Sequence, residues 1–534
     1  MHSYSSSPDT DSVFVFGTSL AMRLQENVSL ILGISASMVL VCVTRYLQSP
    51  WRKVPPGPPG LPFIGNALEL TGDQWLRYSA WRKDYGDIIY LNAMGKPMVI
   101  LNSPSIATEL LDRRATIYSD RPTMIVSNEI MCDGLMLPSV SYGDKWRRMR
   151  KASHEALNKV VADGLNEYQV EEAMVLVRNT MRDAAGWDQL IRSATASMML
   201  RGVYAEAPVL DECDARVYEV NEIAATLSSA SGLGAYWVEI MPWMRHVPSV
   251  FAPWKRKAQE IYERNNALFH RLLDRVQKGV DDETEPTSFC ATLIRERERY
   301  GLHTHENAWL AASIYTAGSD TVRAVLSWWT LAMLLHPEVQ MRAQNELDAV
   351  VGRARLPTFS DMPHLPYVSA IIKEVIRWRP ATPLGLPHRS TEDDIYEGYF
   401  IPKGTVVIPN VWEMNHDPAT FGQDAHLFNP ERFLGENGEL LSTLPGSKDD
   451  GHYAFGFGRR ICVGKHVANN SLFIDVAVSL WAFSFVNVKG QSLDADGCIN
   501  EGVVVAPKHF EVDVEPRFPE ALALLSQECE LRGR

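Results

Sequence analysis

Ten residues near the carboxyl end, FGFGRRICVG (Phe455–Gly464), set one cysteine among three glycines, two arginines and two phenylalanines. A cysteine buried only for packing needs no such neighbours. These suit a charged sulfur and a backbone that comes close to a large flat object. Directly after Cys462 runs VGKHVANNSLFIDVAVSLWAFSF, whose apolar character predicts a helix with the sulfur at its amino terminus. Unpaired N–H groups and the positive end of the helix dipole favour thiolate there. Gly456, Gly458 and Gly464 let the backbone turn tightly and approach a flat ligand, and Arg460 places a cation two residues from the sulfur.

A thiolate beside a planar dianion, with a cation in reach, points to haem iron, where an axial thiolate donates electron density that favours O–O cleavage. The plain alternative is a lone cysteine packed inertly in a core.

Composition bounds the body of the chain. The chain has 534 residues, 46% of them hydrophobic, enough for a sizeable core. Its net charge of −13 argues against a nucleic-acid partner, because phosphate contacts need clustered Lys and Arg. Seven scattered cysteines, with no CxxC or Cys/His zinc spacing, read as a reduced, cytosol-facing protein.

The amino end differs. VSLILGISASMVLVCVT (Val28–Thr44) is uncharged, mostly apolar and followed by Arg45, Arg52 and Lys53. This predicts one transmembrane helix with the basic side in the cytosol. The organisation expected is a luminal segment 1–27, an anchor 28–44, a basic and proline-rich linker 45–66 and a catalytic domain 67–534, held single-pass in the endoplasmic reticulum membrane. A cleaved signal peptide is the alternative, but no small-residue cleavage site precedes Arg45. Asn27 begins a sequon on the luminal side, close to the bilayer.

PPGPPGLPFIGN (Pro55–Asn66) reads as a stiff polyproline-like spacer. Two hairpins are expected, one turning around Met94–Pro97 and one at Pro402–Gly404. Helical spacing dominates from Asp144 to about Val351, and one long helix stops at His336-Pro337. The fold class expected is mainly α with a smaller β-rich part.

The pattern Phe455-x-x-Gly458-x-Arg460-x-Cys462-x-Gly464 resembles the haem-binding signature of the cytochrome P450 superfamily, and three further signatures follow the family's order. Glu374 and Arg377 in KEVIRWRP resemble its Glu-x-x-Arg pair, which with Arg432 in PERF implies a buried structural triad. AGSDTV (Ala317–Val322) resembles the oxygen-activating motif. There Gly318 leaves room for O2, Thr321 offers a hydroxyl to the activated oxygen, and Asp320 is a candidate proton carrier. The alternative for Thr321 is a bond back to its own helix. Val322 departs from relatives that carry a second hydroxyl at this position. Trp146 and Arg150 match the family's Trp-x-x-x-Arg pair. With Arg121, His388 and Arg460 they occupy positions that contact the propionates, although Arg389 could replace His388.

The resemblance runs from Pro55 to about Val514 and implies a membrane-anchored, eukaryotic, fungal-type monooxygenase with haem b ligated by Cys462. It implies a lipophilic substrate walled by Ser313, Ile314, Ala317, Ala381–Leu386, Val503–Val505 and the loop Pro122–Ser141. No dinucleotide fingerprint is present, so a separate NADPH-dependent flavin reductase is expected as partner. Lys145, Arg147, Arg148, Lys151 and Lys465 are its candidate docking face. A same-fold isomerase or dehydratase and a non-catalytic haem-binding protein remain as alternatives, separable by reductase-dependent NADPH consumption.

Overall fold

The computed structural model describes residues 34–41, 43–45, 47–211, 214–232 and 234–534. These form two compact units, residues 34–55 with Asp394–Pro402, and Pro56–Asp393 with Lys403–Arg534. The longer helices are α1 Gln74–Tyr85, α2 Asp144–Ala156, α3 Asn166–Arg182, α4 Trp187–Tyr204, α5 Ala215–Ser231, α6 Pro253–Asp281, α7 Thr304–Leu335, α8 Pro337–Val350, α9 Pro366–Trp378, α10 Lys465–Ala482 and α11 Ala521–Leu531. The strands are β1 Ile88–Ala93, β2 Lys96–Leu101, β3 His388–Arg389, β4 Asp394–Tyr396, β5 Tyr399–Ile401, β6 Val406–Pro409, β7 Phe483–Val486, β8 Cys498–Asn500, β9 Val505–Pro507 and β10 Asp513–Pro516.

Of the expected anchor, 28–44, residues 28–33 and 42 lie outside the described residues. Among those described, no helix is long and apolar enough to cross a membrane. In the smaller unit, β4 and β5 form a hairpin and Trp51 packs edge-on against Phe400 at 6.0 Å.

α7 organises the larger unit. A capping box between His303 and Glu306 starts it, and Pro337 lacks the N–H that would continue it past His336. Its 32 residues run about 48 Å. Ala308–Ala312, Ile314 and Tyr315 sit in one hydrophobic cluster with α4, α5 and α6, while Val322 and most residues from Ala324 to Leu334 sit in a second with α3, α9 and α10. Thr316–Thr321 is the stretch between the two cores, and the cavity opens there.

The expected hairpin at Met94 is present. Met94 and Gly95 both take positive φ, 50° and 88°, and join β1 to β2. The four-stranded sheet then runs β1-β2-β6-β3, with β2 and β6 parallel. Three expectations are corrected. The second hairpin turns at Glu397-Gly398, where both φ values are positive, and β6 after Gly404 joins β2 and β3 instead. The helix after Cys462 ends at Ala482, since Phe483–Val486 alternates buried and half-buried side chains and pairs with β10. The proline-rich segment is no free spacer, because Tyr90 N–H donates to Pro56 O at 2.8 Å and a Cβ on Gly57 would fall 1.9 Å from Tyr90 O.

Candidate active site

The loop Phe455–Gly464 is shaped by its own backbone. Cys462 N–H donates to Phe455 O at 2.8 Å, and Gly456 and Gly458 hold φ of 80° and 55°. A Cβ on Gly458 would lie 2.1 Å from Leu111 O, so this glycine serves packing on a neighbouring segment. At Gly464 and Gly456 a Cβ would meet no protein atom, although both residues line the cavity. There the missing side chains leave space for a ligand. Cys462 lies just before α10, deep among protein atoms yet open to the cavity. Burial pushes its thiol pKa up, against the pull of the Gly464 N–H, Arg150 and Lys465. The expected thiolate bias of the helix terminus is therefore outweighed by burial in the protein alone. Metal coordination is what deprotonates such a thiol outright.

Above the loop, three arginines gather with a histidine. Arg121, Arg150, His388 and Arg460 all line the cavity. Arg121 donates to the carbonyls of Pro138, Leu386 and Pro387 at 2.6–2.8 Å. Arg460 donates to Ser119 O and Val140 O, and its buried Nη1 has no partner among the described residues. Its guanidinium lies 4.4 Å over the Trp146 ring. His388 Nδ1 is bonded to Tyr118 O at 2.7 Å. Burial and then mutual repulsion hold Arg121 and His388 well below their usual pKa values, and burial lowers Arg460 to about 9. The adjacent Asp120 offsets this for Arg121 and Arg460 only in part, and its carboxylate already accepts from Arg389 and the Tyr142 N–H. Arg389 is thereby removed as a rival to His388. A cluster of buried arginines beside the His388 imidazole, short of carboxylates and with one guanidinium nitrogen unpaired among the described residues, fits the two propionates of haem.

On α7 the three expected residues face the same cavity. Thr321 Oγ1 donates to Ala317 O at 2.8 Å, so its hydrogen is spent on its own helix. Asp320 Oδ1 accepts from Arg323 Nη2 at 2.9 Å, while Oδ2 makes no hydrogen bond among the described residues. A Cβ on Gly318 would meet Met199 Sδ at 2.5 Å, so this glycine also packs against the flexible end of a side chain from α4. The cavity, about 420 Å³, is walled by expected residues including Met136, Leu137, Ser313, Ile314, Ala381, Leu386, Val503 and Val504. Sequence reasoning missed Met198, Met199 and Val203 from α4 and Leu227 and Ser228 from α5, which sit on ordinary helices with no motif. It also missed Arg323, whose signal was a cation three residues after Asp320 in a helix that is otherwise apolar there.

Glu374, Arg377 and Arg432 meet as expected. Arg377 donates to Glu374 at 2.6 and 2.7 Å and Arg432 at 3.1 Å, with Glu374 and Arg377 fully buried. Of the expected basic face, Arg147 pairs with Asp144, Arg148 with Glu306 and Lys465 with Asp450. Lys145 and Lys151 are exposed and carry no ion pair among the described residues.

The sequence pattern of the cytochrome P450 family matches residues 55–514. The chain belongs to the cytochrome P450 family. A cytochrome P450 monooxygenase of Armillaria gallica is 49% identical over 516 residues, covering 96% of this chain and 99% of that protein. A second from the same fungus is 46% identical over 505 residues, covering 93% and 98%. Cytochrome P450 monooxygenase 58 of Postia placenta is 41% identical over 502 residues, covering 93% and 95%. P450s bind haem with a cysteine thiolate as axial ligand, and this chain is accordingly an oxygen-incorporating oxidoreductase that works with a redox partner and a small-molecule substrate. Cys462 opens onto the same cavity as Arg121, Arg150, His388 and Arg460.

Proposed function

We propose that this P450 hydroxylates a lipophilic small molecule of terpenoid, steroid or polycyclic aromatic type, in fungal secondary or xenobiotic metabolism. The electrons come from NADPH through a separate flavin reductase. The balance is RH + O2 + NADPH + H+ → ROH + H2O + NADP+. The observation that carries this reading is the cavity over Cys462, walled by Leu137, Ile314, Ala381, Leu386, Val503 and Val504 with few polar handles.

Haem, when bound, would supply the activation of O2, from which the transferred oxygen atom comes. The chain does the rest. The apolar walls orient the substrate and exclude water. Asp320, with Oδ2 free, carries a proton into the cavity. Thr321 has given its hydrogen to Ala317, so its oxygen acts as an acceptor that holds a proton donor in place. Lys145 and Lys151 remain to meet an acidic face of the reductase.

Residues 28–44 are proposed as an endoplasmic reticulum anchor that leaves the catalytic domain in the cytosol. The apolar Ile34, Met38, Val39, Leu40, Val41 and Val43 are all exposed, which supports a lipid environment for this segment.

The deciding experiment supplies membranes holding this protein and a P450 reductase with NADPH, 18O2 and a panel of lipophilic compounds. One 18O atom in a product is expected. Product formation without 18O, or without reductase, would overturn the reading.

A further inference from the structure

The turn Glu501–Val504 between β8 and β9 ties three parts of the site together. Glu501 N–H donates to Val504 O at 3.0 Å. Ser228 Oγ on α5 accepts from Val503 N–H and Val504 N–H, each at 3.1 Å. Gly502, with φ 103°, lies so close to α5 that a Cβ would fall 2.3 Å from Ser228 O. The backbone of the turn is therefore pinned while Val503 and Val504 form cavity wall.

The Glu501 side chain reaches Arg323. Arg323 is 2% exposed, and its Nη2 donates both to Glu501 Oε2 at 2.8 Å and to Asp320 Oδ1 at 2.9 Å. The two carboxylates outweigh burial and keep this guanidinium charged. One nitrogen thus serves a carboxylate on the turn that lines the cavity and another on the helix that faces it. Strengthening either contact weakens the other, since both draw on the same charge.

We propose that Arg323 is a positioning residue shared by Asp320 and Glu501, so that a molecule pressing on the Val503–Val504 wall alters how firmly the Asp320 carboxylate is held. Asp320 as proton carrier is the reading this rests on. Arg323 then links cavity occupancy to proton supply.

The test is a square of haem-loaded proteins: wild type, Asp320→Asn, Glu501→Gln and the double variant. Both replacements keep shape, and Glu501 is only partly buried. The ferric proteins are titrated with 4-phenylimidazole, which fills the cavity from the iron side. Asp320→Asn hands Arg323 to Glu501 alone, and the expected change in Kd is about fivefold, the low end for coupled sites. In the Glu501→Gln background the same Asp320 replacement should leave Kd unchanged. An equal change in both backgrounds, or none in either, overturns the proposal. Should Asp320→Asn not load haem, Glu501→Asp decides, because it keeps the shared charge. Wild-type Kd is expected for Glu501→Asp and a shifted Kd for Glu501→Gln, and identical values for the two overturn the sharing. The proton-carrying role is read separately from the solvent isotope effect on reductase-driven NADPH oxidation. If Asp320→Asn leaves that effect unaltered, the role fails while the titration square still decides the coupling.

Discussion

Replacing Glu374 with alanine should prevent accumulation of haem-loaded protein, and the contacts set the size of the effect. Glu374 accepts two hydrogen bonds from Arg377, one from Arg432 and one from the Asn429 N–H. Arg432 would keep Asp424, which it touches at 3.2 Å. Arg377 would keep only the carbonyls of Asn415, Ala425 and Leu427, leaving its fully buried charge with no carboxylate. One stranded cation costs about 3–5 kcal/mol. Against a total stability of about 5–15 kcal/mol, that removes much of the margin. A matched control lies nearby in sequence. Glu431 is 60% exposed at its side chain and pairs with Arg342, so Glu431→Ala should cost about 0–1 kcal/mol. The assay compares the two variants by the reduced, carbon-monoxide-bound spectrum and by thermal unfolding. Equal haem content and equal melting temperatures for Glu374→Ala and Glu431→Ala would refute the argument that burial of an unpaired Arg377 decides the outcome.

Thr321→Val keeps the β-branched shape, so haem loading should survive while product per NADPH falls about tenfold, below the 10²–10³ seen for a lost oxyanion donor because water partly substitutes; peroxide and product assays check this, and an unchanged ratio makes Thr321 a helix residue only. Arg460→Leu should fold but release haem to apomyoglobin faster than wild type, since the buried guanidinium with an unpartnered Nη1 would no longer meet a propionate; an unaltered release rate contradicts that assignment. Cys462→Ser should lack the red-shifted carbon-monoxide band, because a serine hydroxyl is too basic to replace thiolate. Deleting residues 1–51 should free much of the protein from microsomes with haem retained. Sedimentation of the truncated protein with membranes to the wild-type extent would count against the anchor.

What could be read from the chain follows from how chemistry constrains spacing. Cys462, Glu374 with Arg377, and Arg432 stand in fixed local patterns because each must present one group in one geometry, and such patterns survive in sequence. Arg323 and Glu501 meet across 178 positions, so nothing local marks their contact. The packing of Gly318 goes unmarked for the same reason, as Met199 approaches it from another helix. Phe483–Phe485 reads as helix because an apolar run continues from α10, and only pairing with β10 decides otherwise. Pro55–Asn66 could not be helical, yet its packing beside Tyr90 and Asn92 depends on glycines whose neighbours lie thirty positions on, at about the distance a hairpin brings back.

Two buried cationic clusters in one domain are neutralised in different ways. Around Glu374 the counter-charge belongs to the chain, and it forms when the chain folds. Around Arg121, Arg460 and His388 burial comes first among the causes that lower all three pKa values, and the adjacent acid, Asp120, offsets this only in part because it is shared with Arg389. Folding therefore leaves this second cluster unfavourable until a dianion arrives. Haem binding then stabilises the domain beyond its apolar contacts, and a tenfold loss of haem affinity removes about 1.4 kcal/mol of that stabilisation when haem is in excess. The contrast separates the two substitutions: Glu374→Ala acts on the fold and takes haem with it, whereas Arg460→Leu removes a charge that only the cofactor needed. If Arg460→Leu instead raises the stability of the haem-free protein, as relief of a buried, mutually repelling cation requires, the cluster is built for the cofactor and at the expense of the empty domain.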